Sequence, residues 1–332
     1  MKEIVLFGAG RIGREVADIL LYKGEKVAYF IDNKCAGTKI CVWGNEIEVI
    51  SFNTYLGLDI EAYNLVVSVG GKSMKQIQQQ LLSENITDFV YYAEMDLTDK
   101  RQRIISYAAK EQMEDVFLYH VLKDEDNIFY IDIGSNDPFD CSVTKLFYDN
   151  KNACGINVEP QKILIEYSNV ERLRDVNLCV GCGATNGTAV LYEQQQYSTV
   201  MADNAITKGV KKTEISIVTL KDICNQNLQE EQEISFLKVD VEGAEKSVLD
   251  GADFQKWRPW IIVMESTIPG TEIEKHEEWE SILLDNQYHF VGAHGVNRYY
   301  VANEKSYLDD KFLDLDELRK IYKIYHADME LV

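Results

Sequence analysis

Two apolar runs in this chain, Glu3–Phe7 and Ile128–Ile133, each stop at a glycine loop: Gly8-Ala-Gly-Arg-Ile-Gly13 and Gly134-Ser-Asn136. A strand that ends in glycine and leads into further helix–strand alternation admits few folds. After the first loop Ile12, Val16, Ile19 and Leu20 recur at helical spacing. Strands follow at Lys26–Ile31, Leu65–Val69 and Phe89–Tyr92, with a helix over Lys72–Leu82 and a β-rich excursion between Ala36 and Val49. After the second loop come Ala153–Val158, Asn177–Val180, Ile234–Asp240 and Ile261–Glu265, then a closing pair around His289–Ala293 and Arg298–Val301. Strands alternating with helices predict an α/β fold whose sheets are mostly parallel and covered on both faces.

The chain has 332 residues, and at roughly 100–200 residues per domain this favours two domains. The stretch 99–127 is charged and helical in pattern, and reads as a connector between 1–98 and 128–332. A last helix is expected from the stripe Leu308, Phe312, Leu315, Leu318, Tyr322 and Tyr325. Lysine and arginine number 34 against 55 acids, a net charge of −21. That balance excludes nucleic acid and anionic membranes as main partners, because both reward clustered cations. No apolar run approaches the roughly 18 residues of a membrane span. The start places an acid and arginines where an export signal would keep an apolar stretch, and the seven cysteines lack a metal or redox pattern. The expected compartment is the cytoplasm.

The first loop is a complete G-x-G-x-x-G between a strand and a helix, with Asp32 about 20 residues further on. Gly8, Gly10 and Gly13, with Arg11 and Ile12 at the helix start, would bring backbone N–H groups to a pyrophosphate, and Asp32 would hold ribose hydroxyls. The module is short for a full dinucleotide domain. It resembles the small Rossmann-like modules attached to bacterial sugar-modifying transferases, which bind the nucleotide of a nucleotide-sugar or have no known ligand. The other reading is a packing module whose glycines serve only the turn.

The second loop differs. Asp132 sits inside the strand end, two residues before Gly134. The next strand ends in Asn157-Val-Glu159, and a carboxylate there can accept both vicinal hydroxyls of a ribose. Lys238, Asp240 and Glu242 alternate along the fourth strand and its exit, and Glu265 closes the fifth. Four strands thus deliver Asp132, Glu159, Asp240 and Glu265 to the edge where open α/β sheets bind ligands. An apolar strand that buries Lys238 requires it to be paired. An acidic cleft suits a cationic ligand.

The stretches Tyr130–Pro138, Ser142–Tyr148, Gly155–Pro160, Phe236–Glu245, Trp257–Glu265, His276–Glu280 and Asn297–Tyr300 resemble the FkbM family of S-adenosylmethionine-dependent methyltransferases. The resemblance implies a class I methyltransferase domain with a Rossmann-like seven-stranded sheet over 128–332. It also implies S-adenosylmethionine as cofactor and O-methylation of a sugar, polysaccharide precursor or polyketide hydroxyl. By resemblance and position, Asp132, Gly134, Ser135, Asn136, Glu159, Asp240 and Glu242 would hold the cofactor. Asp240, Glu265, His294 and Lys238 are the catalytic candidates, with Glu265 and His294 competing as general base. His276, Asn297 and Arg298 are candidates for contacting substrate, Arg298 either clamping an anion or neutralising nearby carboxylates. Where His294 stands, the family pattern favours an acid. Asp240 and Glu265 could supply hard oxygen ligands, but no metal-specific spacing is visible, so no metal is assigned. Competing readings are an NAD-dependent oxidoreductase working through the first loop, and a non-catalytic partner protein. Oligomeric state is open.

Overall fold

The computed structural model describes residues 2–110, 112–194, 198–201, 210–271 and 273–328. The chain forms two compact units: one from residues 1–104 with 314–332, the other from 105–313.

In the first unit the strands are β1 (Glu3–Phe7), β2 (Val27–Ile31), β3 (Lys39–Val42), β4 (Asn45–Ile50), β5 (Tyr63–Val67) and β6 (Val90–Tyr91). They lie in the order β3-β4-β2-β1-β5-β6, parallel throughout except for the β3–β4 hairpin. Alternation along β1 sends Ile4 and Leu6 to a core with Val16, Ala17 and Leu20 of the helix Arg11–Tyr22. Val5 and Phe7 go to the opposite core with Phe52, Tyr55 and Leu81. A sheet buried on both faces needs such continuous apolar strands.

Two elements differ from expectation. Within the stretch read as a helical connector, β7 (Gln102–Ser106) is a strand, and the helix is confined to Glu114–Val121. Ile104 and Ser106 are buried while Arg103 and Ile105 are exposed, a period of two that the flanking charges obscure. The stripe expected as one closing helix is a 3₁₀ segment at Asn303–Lys311, a helix at Leu315–Ile321 and a strand at Tyr322–His326. Asp314 starts that helix with a reciprocal capping box to Glu317, and the Tyr-Lys-Ile-Tyr run that follows suits a strand.

The second unit continues the numbering with β8 (Phe129–Ile133), β9 (Cys154–Val158), β10 (Val176–Leu178), β11 (Gly181–Cys182), β12 (Gly187–Glu193), β13 (Lys211–Val218), β14 (Phe236–Val239), β15 (Ile261–Glu265), β16 (Tyr288–His294) and β17 (Asn297–Ala302). Its large sheet runs β10-β9-β8-β14-β15-β17-β16, with β17 antiparallel to both neighbours and the other pairs parallel. A small sheet, β11-β13-β12, was not anticipated from the sequence. One face of the large sheet packs Ile131, Ile133, Leu237, Val239, Ile262 and Met264 into a single core. On the other, the Phe236 ring packs at a tilt against Tyr130 and Phe147, with ring centroids 5.7 and 5.0 Å away. Among the described residues no helix is long and apolar enough to cross a membrane.

Candidate active site

Because β8, β9, β14 and β15 are parallel, their carboxyl ends fall on one edge, and a cavity of about 470 Å³ opens there. That size is typical of small-molecule sites. Gly134 and Asn136 from the β8 exit, Glu159 and Gln161 from β9, Lys238, Asp240 and Glu242 from β14, and Glu265 and Thr267 from β15 line its floor. Leu191, Ile215 and Ile217 of the small sheet form an apolar wall.

The register explains the chemistry of the floor. Asp132 on β8 pairs directly with Lys238 on β14. The Lys238 ammonium lies 3.5 Å from the Asp132 carboxylate and 3.4 Å from that of Asp240, and donates to the Gly134 carbonyl at 2.9 Å. Burial works against this charge, but Asp132, Asp240 and Glu114 more than offset it and raise the lysine's pKa. Lys238 is thus a fixed cation tying two strand ends together. Gly134 has φ +79°, and a Cβ there would stand 1.8 Å from the Asp240 carbonyl oxygen, so only glycine lets β8 and β14 converge.

Glu159 is buried, with one carboxylate oxygen accepting from the Asn136 N–H at 3.2 Å and the other from the Gln161 N–H at 2.9 Å. Burial raises its pKa against these two donors. Each oxygen keeps a lone pair for a further hydroxyl donor, which fits the paired hydroxyls of a ribose. Ser135 is also buried, its N–H donating to the Val158 carbonyl at 3.1 Å, and it anchors the loop beside the cavity without lining it.

Glu242 sits in a left-handed turn at φ +55°, followed by Gly243 at φ +102°. The turn is held by the Glu245 carboxylate, which accepts the Val241 and Gly243 N–H groups, and by the Thr199 hydroxyl, which donates to the Glu242 carbonyl at 2.8 Å. A non-glycine residue in this region carries strain that the surroundings must maintain. The result brings Asp240, Glu242 and Glu265 together, one oxygen of each within 4.8 Å of the others. Burial, then the charges of Asp240, Glu242 and Glu245, push the Glu265 carboxyl up to about 11. Burial, then Asp240 and Glu245, push Glu242 to about 8.

The remaining candidates stand elsewhere. His294 ends β16 with its ring 4.6 Å from that of Phe117, outside the cavity lining. Asn297 is buried and donates to Glu114 at 2.8 Å. Arg298 pairs with Glu280 at 3.0 Å and covers Phe290, while His276 lies 3.1 Å from Glu274. These three side chains sit among carboxylates and aromatics of their own surroundings rather than along the cavity. Sequence reasoning missed Thr267, the apolar wall and Glu114. Thr267 had a readable signal, since it lies two residues beyond Glu265 and an extended chain turns both to one side.

In the first unit, the six residues of the first loop separate by role. A Cβ on Gly13 would meet the Gly8 carbonyl oxygen at 1.9 Å, and one on Gly8 would meet Val69 at 2.4 Å, so both serve close packing. Gly10, before the exposed Arg11 and half-buried Ile12 that open the helix, faces open space. Asp32 follows β2 and accepts from the Ala9 N–H at 3.4 Å and the Lys34 N–H at 2.9 Å.

With this geometry in place, comparison with known proteins adds one observation. Residues 132–290 match the family model of the methyltransferase FkbM domain. The FkbM match begins at Asp132 and so takes in the β8 loop, Glu159, the β14 exit and Glu265; the first unit lies outside it. A crystal structure of methyltransferase FkbM from Methylobacillus flagellatus KT is 13% identical, covers 90% of each chain and superposes with a TM-score of 0.35. No curated protein matches the chain.

Proposed function

We propose that this protein is an S-adenosylmethionine-dependent O-methyltransferase acting on a hydroxyl of a sugar or glycan precursor. The observation that carries the reading is the coincidence of the FkbM-matched segment with a cavity floored by Glu159, Asp240 and Glu265. The large sheet supports it: a doubly wound order with one antiparallel strand next to its edge is what a class I methyltransferase domain requires.

The residues present fit the cofactor. Glu159 has its orientation set by two backbone donors and lone pairs left for a ribose, Gly134 and Asn136 let the backbone come close, and the acidic floor favours a cation. When bound, S-adenosylmethionine supplies an activated methyl group on a positively charged sulfur. The protein's tasks are to align the acceptor oxygen and to take its proton, contributions of up to roughly 7–11 kcal/mol and about 10²–10⁴-fold respectively. Burial and the neighbouring Asp240, Glu242 and Glu245 favour the protonated form of the Glu265 carboxyl. Asp240, beside Lys238 and on the cavity wall, is then the carboxylate that accepts the hydroxyl proton, and Lys238 holds it in place. His294 is set aside as general base because its ring packs on Phe117 away from the lining.

The open face of Gly10 and the position of Asp32 support a nucleotide or nucleotide-sugar site in the first unit. Calorimetric titration with S-adenosylhomocysteine tests the cofactor site: wild type binds, and Glu159→Ala loses at least tenfold in affinity. Transfer of labelled methyl to a panel of sugars and nucleotide-sugars should fall by 10²-fold or more in Asp240→Asn with cofactor affinity kept within a few-fold. If wild type takes up a nicotinamide cofactor and never S-adenosylhomocysteine, an oxidoreductase replaces this reading.

A further inference from the structure

The carboxylate group at the β14 and β15 exits is more than an acidic lining. Oxygens bound to one ion at about 2.0–2.6 Å lie no more than about 4–5 Å apart, and the Asp240, Glu242 and Glu265 oxygens meet that condition without rearrangement. Glu242 and Glu265 are 9% and 8% exposed, and each has one buried oxygen with no hydrogen-bond donor. Thr267 gives an independent sign. Its side chain is 6% exposed, its hydroxyl has no hydrogen-bond partner, and it lines the same cavity. Buried polar atoms are almost always satisfied, so three orphaned oxygens around one cavity point to a missing electropositive partner. Lys238 does not fill that need: its ammonium is committed to Asp132, Asp240 and the Gly134 carbonyl.

We infer that Asp240, Glu242 and Glu265, in the cavity that Thr267 also lines, form a binding site for a hard divalent cation such as Mg²⁺ or Mn²⁺. The three ligands are carboxylate oxygens, the set that suits Mg²⁺, Mn²⁺ and Ca²⁺ over softer metals, and a bound cation displaces any proton that a carboxyl holds in its absence. The left-handed turn at Glu242 acquires a purpose, because it swings a third carboxylate toward the two at the strand ends. Binding of the cation stands on this geometry alone. Its role rests on the methyltransferase reading: an acceptor hydroxyl placed on the ion would lose its proton more readily.

The test is titration of the full chain with Mn²⁺, following loss of the free-ion electron paramagnetic resonance signal, alongside calorimetric titration with S-adenosylhomocysteine. Wild type should bind one equivalent of Mn²⁺, displaced by excess Mg²⁺. Glu242→Gln and Glu265→Gln, which keep side-chain size and remove charge, should each weaken binding by about 10–100-fold or more, with folding checked by circular dichroism. No Mn²⁺ uptake by wild type, or uptake undiminished in both variants, overturns the site. A protein that binds S-adenosylhomocysteine but no cation refutes this inference and leaves the methyltransferase reading intact. One that binds the cation and loses it in both variants, but never binds S-adenosylhomocysteine, supports the site and refutes that reading.

Discussion

Gly134 shows how much a single position decides. Its left-handed φ and the 1.8 Å approach of a would-be Cβ to the Asp240 carbonyl mean that Gly134→Ala must part β8 from β14 or strain the loop. We expect a loss of about 2–4 kcal/mol, read as a lower urea midpoint at unchanged slope, together with weakened S-adenosylhomocysteine binding. An unchanged midpoint would show that the loop relaxes freely and that the glycine is not required there. The strand-end acids were legible for the same reason that this glycine was: each closes an apolar run, and a parallel sheet collects such ends on one edge. The contacts that His276, His294, Asn297 and Arg298 make were not legible, except that neutralising nearby carboxylates is one of the two readings of Arg298. Their partners, Glu274, Phe117, Glu114 and Glu280, become visible only once the strands and turns that carry them have folded.

At the scale of elements, the helix Glu114–Val121 opens on two buried acids that its flanking sequence does not advertise. Asp115 accepts from the Ser106 hydroxyl and from the N–H groups of Tyr107, Ala108 and Val116. Glu114 has the Asn297 amide of β17 as donor, and burial pushes its carboxyl up to about 8. A buried acid with a raised pKa binds more protons folded than unfolded, so its contribution to stability is present below the ordinary 4.5 and is lost as pH rises through 8. The slope from one such group is at most about 1.4 kcal/mol per pH unit. Glu114→Gln keeps an oxygen for Asn297 and removes the titration. It should flatten the fall in melting temperature between pH 5 and 8 and leave the variant more stable than wild type above pH 8. Equal pH profiles for the two proteins would contradict this. The small sheet is the element the sequence concealed most fully, because β12 and β13 alternate polar and apolar residues too irregularly to announce a wall.

Across the whole molecule, an early and a late segment of the chain come together within the first unit, and a network of charge links them. Arg101 pairs with Asp18 and with Asp99, the latter at 2.9 Å, and donates to the Arg319 carbonyl at 3.1 Å. Lys323 lies 2.7 Å from Glu15 and 3.6 Å from both Asp18 and Asp99. Asp18 also accepts from the Trp43 indole at 2.7 Å and is almost fully buried. A sequence reader sees these charges as scattered surface residues, since 83 positions separate Asp18 from Arg101 and more lie before Lys323. Breaking a buried ion network by removing one member costs about 3–5 kcal/mol, because the remaining charges lose compensation where water cannot replace it. Asp18→Ala should therefore lower the unfolding transition of the first unit by several degrees in scanning calorimetry. The cavity proposed to take the cofactor is lined wholly by residues within 105–313, so S-adenosylhomocysteine should still bind the variant with wild-type affinity. A transition that does not move would show that the network is energetically idle. Loss of cofactor binding in the variant would instead show that the second unit depends on the first, making the chain's return to its first unit a requirement of the site as well as of the fold.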